Sequence, residues 1–168
     1  MTQSRVMTET LEILIVDDTD GCRDLYSFWL EGDHTVRTAP NGTVALDEID
    51  PGVDLVVVDR NMPGPSGLDV AAEIRADGYD CQIIMISSER VEFDLSTSPV
   101  DEYIKKPADR EALESAVDEV ATQHAYQSAL FELFAVSATV GRVEANAPRE
   151  QLERVEEARA DAEARHRV

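Results

Sequence analysis

Over the first 107 residues, two patterns of apolar positions alternate. The runs at 11–16 (LEILIV), 53–59 (VDLVVVD) and 81–87 (CQIIMIS) are short, dense and rich in β-branched residues, which by length marks buried strands rather than helices. HTVRTA at 34–39 and a shorter run inside DEYIKK at 101–106 supply two weaker strand candidates. Between these runs the apolar positions fall at helical spacing. Cys22, Leu25, Tyr26, Trp29 and Leu30 follow a candidate cap at Asp20. A turn at Pro40-Asn41-Gly42 precedes a helix from Thr43 to Ile49, and Leu68, Val70, Ala71 and Ile74 mark another that ends near Gly78. Pro51-Gly52 and the RNMPGPSG stretch at 60–67 interrupt regular structure. Strands alternating with helices predict an α/β domain over residues 11–120, a five-stranded parallel sheet doubly wound by right-handed crossovers.

Beyond Pro107 the pattern becomes helical throughout. Leu113, Ala116, Val117, Val120 and Ala121 form a stripe that closes the last crossover, and Leu130, Leu133, Phe134, Val136 and Val140 continue it to Gly141. After Pro148 the chain carries many Glu/Arg pairs at helical spacing, an exposed helix with the character of one strand of a coiled coil. Residues 121–168 are thus expected to form an α-helical extension. Residues 1–10 are polar and expected to be disordered, and either Met1 or Met7 serves as a start.

Charge changes this picture. The 168-residue chain carries a net charge of −20, and of its 15 basic residues only Lys105 and Lys106 are lysine. Such a surface repels nucleic acid phosphates, so direct DNA binding is disfavoured. Residues 108–168 hold thirteen acidic and seven basic side chains without a basic stripe, which favours a downstream protein or self-association as the partner of the tail. No run reaches the length of a membrane helix, and the start lacks a signal-peptide core, so a cytoplasmic location is expected, without membrane contact. Cys22 and Cys81 lie in no metal spacing and read as core thiols.

Four predicted strands end at residues able to do phosphate or metal chemistry: Asp17-Asp18, Asp59, Ser87-Ser88 and Lys105-Lys106-Pro107. In an open parallel sheet the ligand crevice lies beyond the carboxyl ends of the strands, so these residues should converge. Adjacent acids after a buried strand repel one another unless a cation compensates, and Mg²⁺ (or Mn²⁺) suits Asp17, Asp18 and Asp59. An Asp at a helix start also serves as a cap, which is the plain alternative for Asp17 or Asp18 taken alone. Asp59 is the candidate nucleophile toward phosphorus, Lys106 the cation that neutralises phosphoryl oxygens, and Ser87 a hydroxyl for one of them. Pro107 allows a cis bond after Lys106. Tyr103 is either a half-buried aromatic or a reporter of pocket occupancy. The scattered His34, His124 and His166 suggest neither a metal site nor a triad.

VDD at 16–18, the D-x-x-M-P-x-x-x-G run from Asp59 to Gly67, Ser87-Ser88, and Tyr103 with Lys106-Pro107 together resemble the receiver domain of two-component response regulators over about residues 11–120. The resemblance implies a flavodoxin-like fold and phosphorylation of Asp59 by the phosphohistidine of a sensor histidine kinase. It implies Mg²⁺ held by Asp17, Asp18, Asp59 and the backbone carbonyl of Asn61. Lys106 would pair with the phosphate, Ser87 would move to bond it, and Tyr103 would turn inward. The stretch from His124 to Asp161 is similar to the HalX domain that follows receivers in haloarchaea, in keeping with the acidic, lysine-poor composition.

Two departures from the family pattern stand out. Ser87-Ser88 replaces the usual Thr-Ala, which keeps the hydroxyl and a small neighbour. Only twelve residues separate Ser88 from Asp101, so the fourth helix of a receiver is expected to be short, frayed or absent, and dimerisation through it is doubtful. Asn61 and Glu89, each two residues past a site residue, are expected with Ser88 to flank the phosphoryl group and orient water, giving an acyl phosphate that lives for seconds to minutes. One alternative is a receiver-like interaction module that works without phosphorylation. The other is a phosphatase resembling the haloacid dehalogenase superfamily, with Asp18-Thr19-Asp20 as its motif, which leaves Asp59 unexplained.

Overall fold

A computed structural model describes residues 9–89 and 97–143, with side chains to residue 136. The elements are β1 (Glu12–Val16), α1 (Asp20–Leu30), β2 (Thr35–Ala39), α2 (Gly42–Glu48), β3 (Leu55–Asp59), α3 (Gly67–Ala76), β4 (Gln82–Ser87), β5 (Glu102–Lys105) and α4 (Arg110–Val143). All strand pairs are parallel, in the order β2-β1-β3-β4-β5. This is the doubly wound α/β architecture read from the sequence.

The central strands are apolar on both faces because both faces are covered. Every residue of β3 is buried. Alternate residues feed two separate cores. Leu14, Val16, Val56, Val58, Ile83 and Met85 pack against Ala45, Val70 and Ile74 of α2 and α3. Ile13, Ile15, Leu55, Val57, Ile84 and Ile86 pack on the other side against Tyr26 and Leu30 of α1 and Leu113 and Val117 of α4.

Helix ends follow the expected chemistry with one correction. Asn41 caps α2, its side chain accepting the Val44 N–H at 2.9 Å. Ser66 and Asp69 form a reciprocal capping box at α3. The cap of α1 is Thr19, not Asp20, which is the first helical residue. Asp17 Oδ1 accepts the Thr19 N–H at 2.9 Å, which turns the chain one residue earlier.

The chain divides into two compact units, Met1–Ala121 and Thr122–Val168. Helix α4 runs unbroken to Val143, so Gly141 lies within it rather than ending it. Of the segment between β4 and β5, residues 97–101 form turns and bends without helix, and the expectation for its fourth helix falls on residues 90–96, outside the described residues. Residues 1–8 and the Glu/Arg-rich stretch at 149–167 also lie outside them, so the expected disorder and coiled-coil character are not described. No described helix is long and apolar enough to cross a membrane.

Candidate phosphoacceptor site

The strand order reverses between β1 and β3, which makes their carboxyl ends the switch point of the sheet. The register pairs Val16 with Val58, so Asp17 follows on β1 beside Asp59 at the end of β3. Asp59 pairs with Ile86 and Ser87 with Lys105, which sets Ser87 and Lys106 on the same rim. Two strand spacings of about 4.8 Å separate β5 from β3, a span suited to a long, flexible stem such as lysine's.

The residues predicted to converge do so. Lys106 Nζ lies 3.0 Å from Asp59 Oδ1 and 3.8 Å from Asp17 Oδ2. Carboxylate oxygens of Asp17, Asp18 and Asp59 all lie within 4.8 Å of one another. Asp17 and Asp59 are buried, whereas Asp18 faces solvent. The Lys106–Pro107 peptide is cis. Burial pushes the Asp17 carboxyl above the usual carboxylate range; the Thr19 N–H and Lys106 oppose this, and the charges of Asp59 and Asp18 add to it. Burial alone would lower the Lys106 ammonium, but the hydrogen bond to Asp59 and the charges of Asp59 and Asp17 prevail and hold it above its ordinary value. Burial also pushes the Tyr26 phenol up to about 12.

Three carboxylates share the one Lys106 ammonium at this rim. Asp17 Oδ2 is buried without a hydrogen-bond partner, a cost that a cation would remove. Three carboxylates around one orphaned oxygen are the donor set a hard divalent ion takes, so the residues present fit Mg²⁺.

The remaining predicted residues lie at the end of β4, in β5 and in the loops that follow β3 and β4. Ser87 is buried at 1% exposure, and its Oγ accepts the Glu89 N–H at 3.1 Å. Tyr103 is half-buried, packs against the α2/α3 core, and places its hydroxyl 3.4 Å from Ser98 Oγ. Asn61, Ser88 and Glu89 are exposed. The Glu89 carboxylate is held by Arg60, Nη1 to Oε2 at 3.1 Å, so it is not a loose group beside Asp59.

Two contributors, Arg23 and Arg60, escaped the sequence reading, and Gly67 entered it only as the last residue of the D-x-x-M-P-x-x-x-G run. Arg23 donates to the Asp17 carbonyl oxygen and pairs with Asp20, bracing the β1–α1 loop. Gly67 brings the start of α3 against the nucleophile's own backbone: a Cβ there would lie 2.4 Å from the Asp59 carbonyl oxygen and 2.9 Å from Arg60 Cα. The signal for Gly67 was its place just past a Pro/Gly loop at a helix start; nothing in the local pattern marked the two arginines.

The family model for the response regulator receiver domain matches residues 13–118. The chain belongs to this family. A putative transcriptional regulator of Haloferax volcanii is 35% identical over 128 residues, 76% of this chain and 22% of that protein. Chemotaxis protein CheY-3 of Vibrio cholerae is 31% identical over 123 residues, 68% of this chain and 95% of its own. Among solved structures, the receiver resembles the response regulator TrrA of Thermotoga maritima in complex with Mg(2+)-BeF, at 36% identity and a TM-score of 0.59 over 66% of this chain and 99% of that one. TrrA in complex with the histidine kinase ThkA matches at 37% identity, with a TM-score of 0.59 over 66% of this chain and 98% of that one. The fold and the receiver function read from the sequence are therefore shown. The chain spans only 22% of the haloarchaeal relative's length, and that protein's whole activity is its own.

Proposed function

We propose that this receiver works in the cytoplasm and accepts a phosphoryl group on Asp59 from the phosphohistidine of a sensor histidine kinase, with Mg²⁺ (or Mn²⁺) as cofactor. The observation that carries the reading is the pairing of a buried Asp59 with Lys106 at 3.0 Å inside a cluster of two further acids. The likeness to TrrA bound to Mg(2+)-BeF, and to TrrA with ThkA, supports the cofactor and the partner class. Asp17, Asp18 and Asp59, with the Asn61 carbonyl, would hold the metal, which supplies charge neutralisation to the phosphoryl oxygens.

The residues of the chain do the rest. A carboxylate oxygen of Asp59 attacks phosphorus in line with the bond to the donor nitrogen; a P–O bond forms, the P–N bond breaks, and its electron pair leaves with the imidazole. Lys106, already ionised beside Asp59, pairs with the transferred group. Asp17, Asp59 and Ser87 are buried, whereas Asn61, Ser88 and Glu89 are exposed, so the hydrolytic water that limits the acyl phosphate to seconds or minutes comes from the side of those three residues. The Ser87 hydroxyl then donates to a phosphoryl oxygen, and Tyr103 leaves Ser98 and turns inward. Ser88 and Asn61 flank the group, with Glu89 acting beside them. The state that binds phosphate better is populated in proportion to that difference. Residues 122–168 serve as a HalX-like output region that self-associates or engages a downstream protein.

Intact-mass measurement after treatment with acetyl phosphate tests this. Wild type should gain one phosphoryl group with Mg²⁺ and none with EDTA, and Asp59→Asn should gain none in either. Equal gain by wild type and Asp59→Asn would refute the assignment.

A further inference from the structure

The ends of β3 and β4 are tied by a contact between charged side chains. Arg60, bonded directly to Asp59, reaches Glu89 Oε2 at 3.1 Å. Glu89 donates its backbone N–H to the buried Oγ of Ser87 at 3.1 Å. The Arg60 N–H, in turn, donates to the Ile86 carbonyl at 3.0 Å, the last rung of the β3–β4 ladder before the two loops diverge. The ion pair therefore bridges the two loops just past the point where backbone pairing stops, with the phosphoacceptor on one side and the switch hydroxyl on the other.

We infer that the Arg60–Glu89 ion pair is a positioning pair for the phosphoryl reaction: it holds the Ser87–Glu89 turn in its resting place and must yield before the Ser87 hydroxyl can reach a phosphoryl group on Asp59. The inference rests on the phosphoacceptor role proposed above. Its first support is mechanical. Because the Glu89 N–H is bonded to Ser87 Oγ, the turn moves as a unit, and any displacement of Ser87 toward Asp59 pulls on the Glu89 side chain that Arg60 holds.

The second support is electrostatic. A phosphoryl group on Asp59 places about two negative charges next to the residue that precedes Arg60. A guanidinium pairs with phosphate at least as well as with a carboxylate, while the Glu89 carboxylate is repelled by the new charge. Phosphorylation thus weakens the tie at the place where the turn must move, which couples the chemistry to the switch without a separate relay.

The strength is bounded by exposure. The Arg60 side chain is 18% exposed and that of Glu89 57%, so the pair lies at the solvent boundary and shifts an equilibrium by about two- to fivefold, as exposed ion pairs do. A small donor reacts through the fraction of molecules whose turn is already released, so the uptake rate scales with that fraction.

The test uses the full chain in molar KCl with Mg²⁺ and acetyl phosphate, reading the rate of phosphoryl uptake by intact mass. Arg60→Gln and Glu89→Gln should each raise the rate by about two- to fivefold, and the exchange variant Arg60→Glu with Glu89→Arg should return it to the wild-type value. A contact that merely braces the loop would leave the rate unchanged or lower it when broken, and would not be rescued by exchange. Melting curves establish that each variant is folded, and Glu89→Gln, at an exposed carboxylate, carries the comparison alone should Arg60→Gln not fold. Single variants no faster than wild type, or an exchange variant that fails to return to it, overturn the inference. No uptake by wild type overturns the phosphoacceptor reading itself, and this inference with it.

Discussion

Asp17→Asn should stabilise the metal-free protein. Asp17 is buried, its Oδ2 has no hydrogen-bond partner, and two other carboxylates have oxygens within 4.8 Å. Two like charges at that distance repel by about 3 kcal/mol at an effective dielectric of 20 and by about 1 kcal/mol in water. Asp17 faces two such repulsions and one attraction, to Lys106 at 3.8 Å, which leaves about one repulsion uncompensated before burial is added. Asparagine keeps the oxygen that accepts the Thr19 N–H at 2.9 Å and puts an amide donor where the orphaned oxygen was. The gain is therefore about 1–3 kcal/mol. At about 2.1 cal/mol/K of unfolding entropy per residue, a unit the size of Met1–Ala121 melts about 4 °C higher for each kcal/mol.

The pH dependence has a definite sign. A carboxyl whose folded pKa is raised adds stability below its unfolded pKa and loses it as pH rises through the folded value. Metal-free wild type should accordingly lose stability across the window that begins at the ordinary aspartate pKa and ends at the raised value of Asp17. The variant should lack that loss. Mg²⁺ should stabilise wild type and have little effect on Asp17→Asn. Thermal melts in EDTA and in excess Mg²⁺, across pH and at fixed KCl, read all three effects. A variant that melts at or below wild type in EDTA would refute the claim that the site is over-charged.

Further substitutions follow from the same geometry. Gly67→Ala forces a Cβ against the Asp59 carbonyl and Arg60 Cα, backbone atoms that cannot swing aside; it should cost about 1–3 kcal/mol in denaturant unfolding and slow phosphoryl uptake. Ser66→Ala removes the reciprocal cap of α3 and should cost about 1 kcal/mol, read by the same unfolding curves. The Ser66 hydrogen bonds hold the Asp69 carboxyl below the ordinary aspartate value, so this cap is intact at neutral pH and is lost as pH falls through the depressed folded value, which pH-dependent melts of wild type and Ser66→Ala should reveal.

The sheet was legible because its central strands are buried on both faces, so β3 and β4 appear as unbroken apolar runs. The edge strand β2 was a weaker signal, since Thr35 and Thr38 face solvent. Helix ends were read to within a residue or two, the end of α4 included, since Val143 lies two residues past Gly141. The central constellation was legible because strand ends in a parallel sheet share one rim, so Asp17, Asp59, Ser87 and Lys106 could be placed without distances. What lay beyond strand-end logic was not. The Arg60–Glu89 tie joins two loop residues twenty-nine positions apart, and neither residue belongs to a periodic pattern. Glu89 was expected to flank the phosphoryl group and orient water, and its pairing with Arg60 had no local signal.

The central claim is that Asp59 is the residue phosphorylated, and trapping the acyl phosphate tests it most directly. Borohydride reduction of acetyl phosphate-treated protein, followed by tandem mass spectrometry of its peptides, should place the reduced residue at Asp59 in samples with Mg²⁺ and nowhere in samples with EDTA. Reduction at Asp17 or Asp18 instead, or at no aspartate while the intact protein still carries phosphate, would contradict the account.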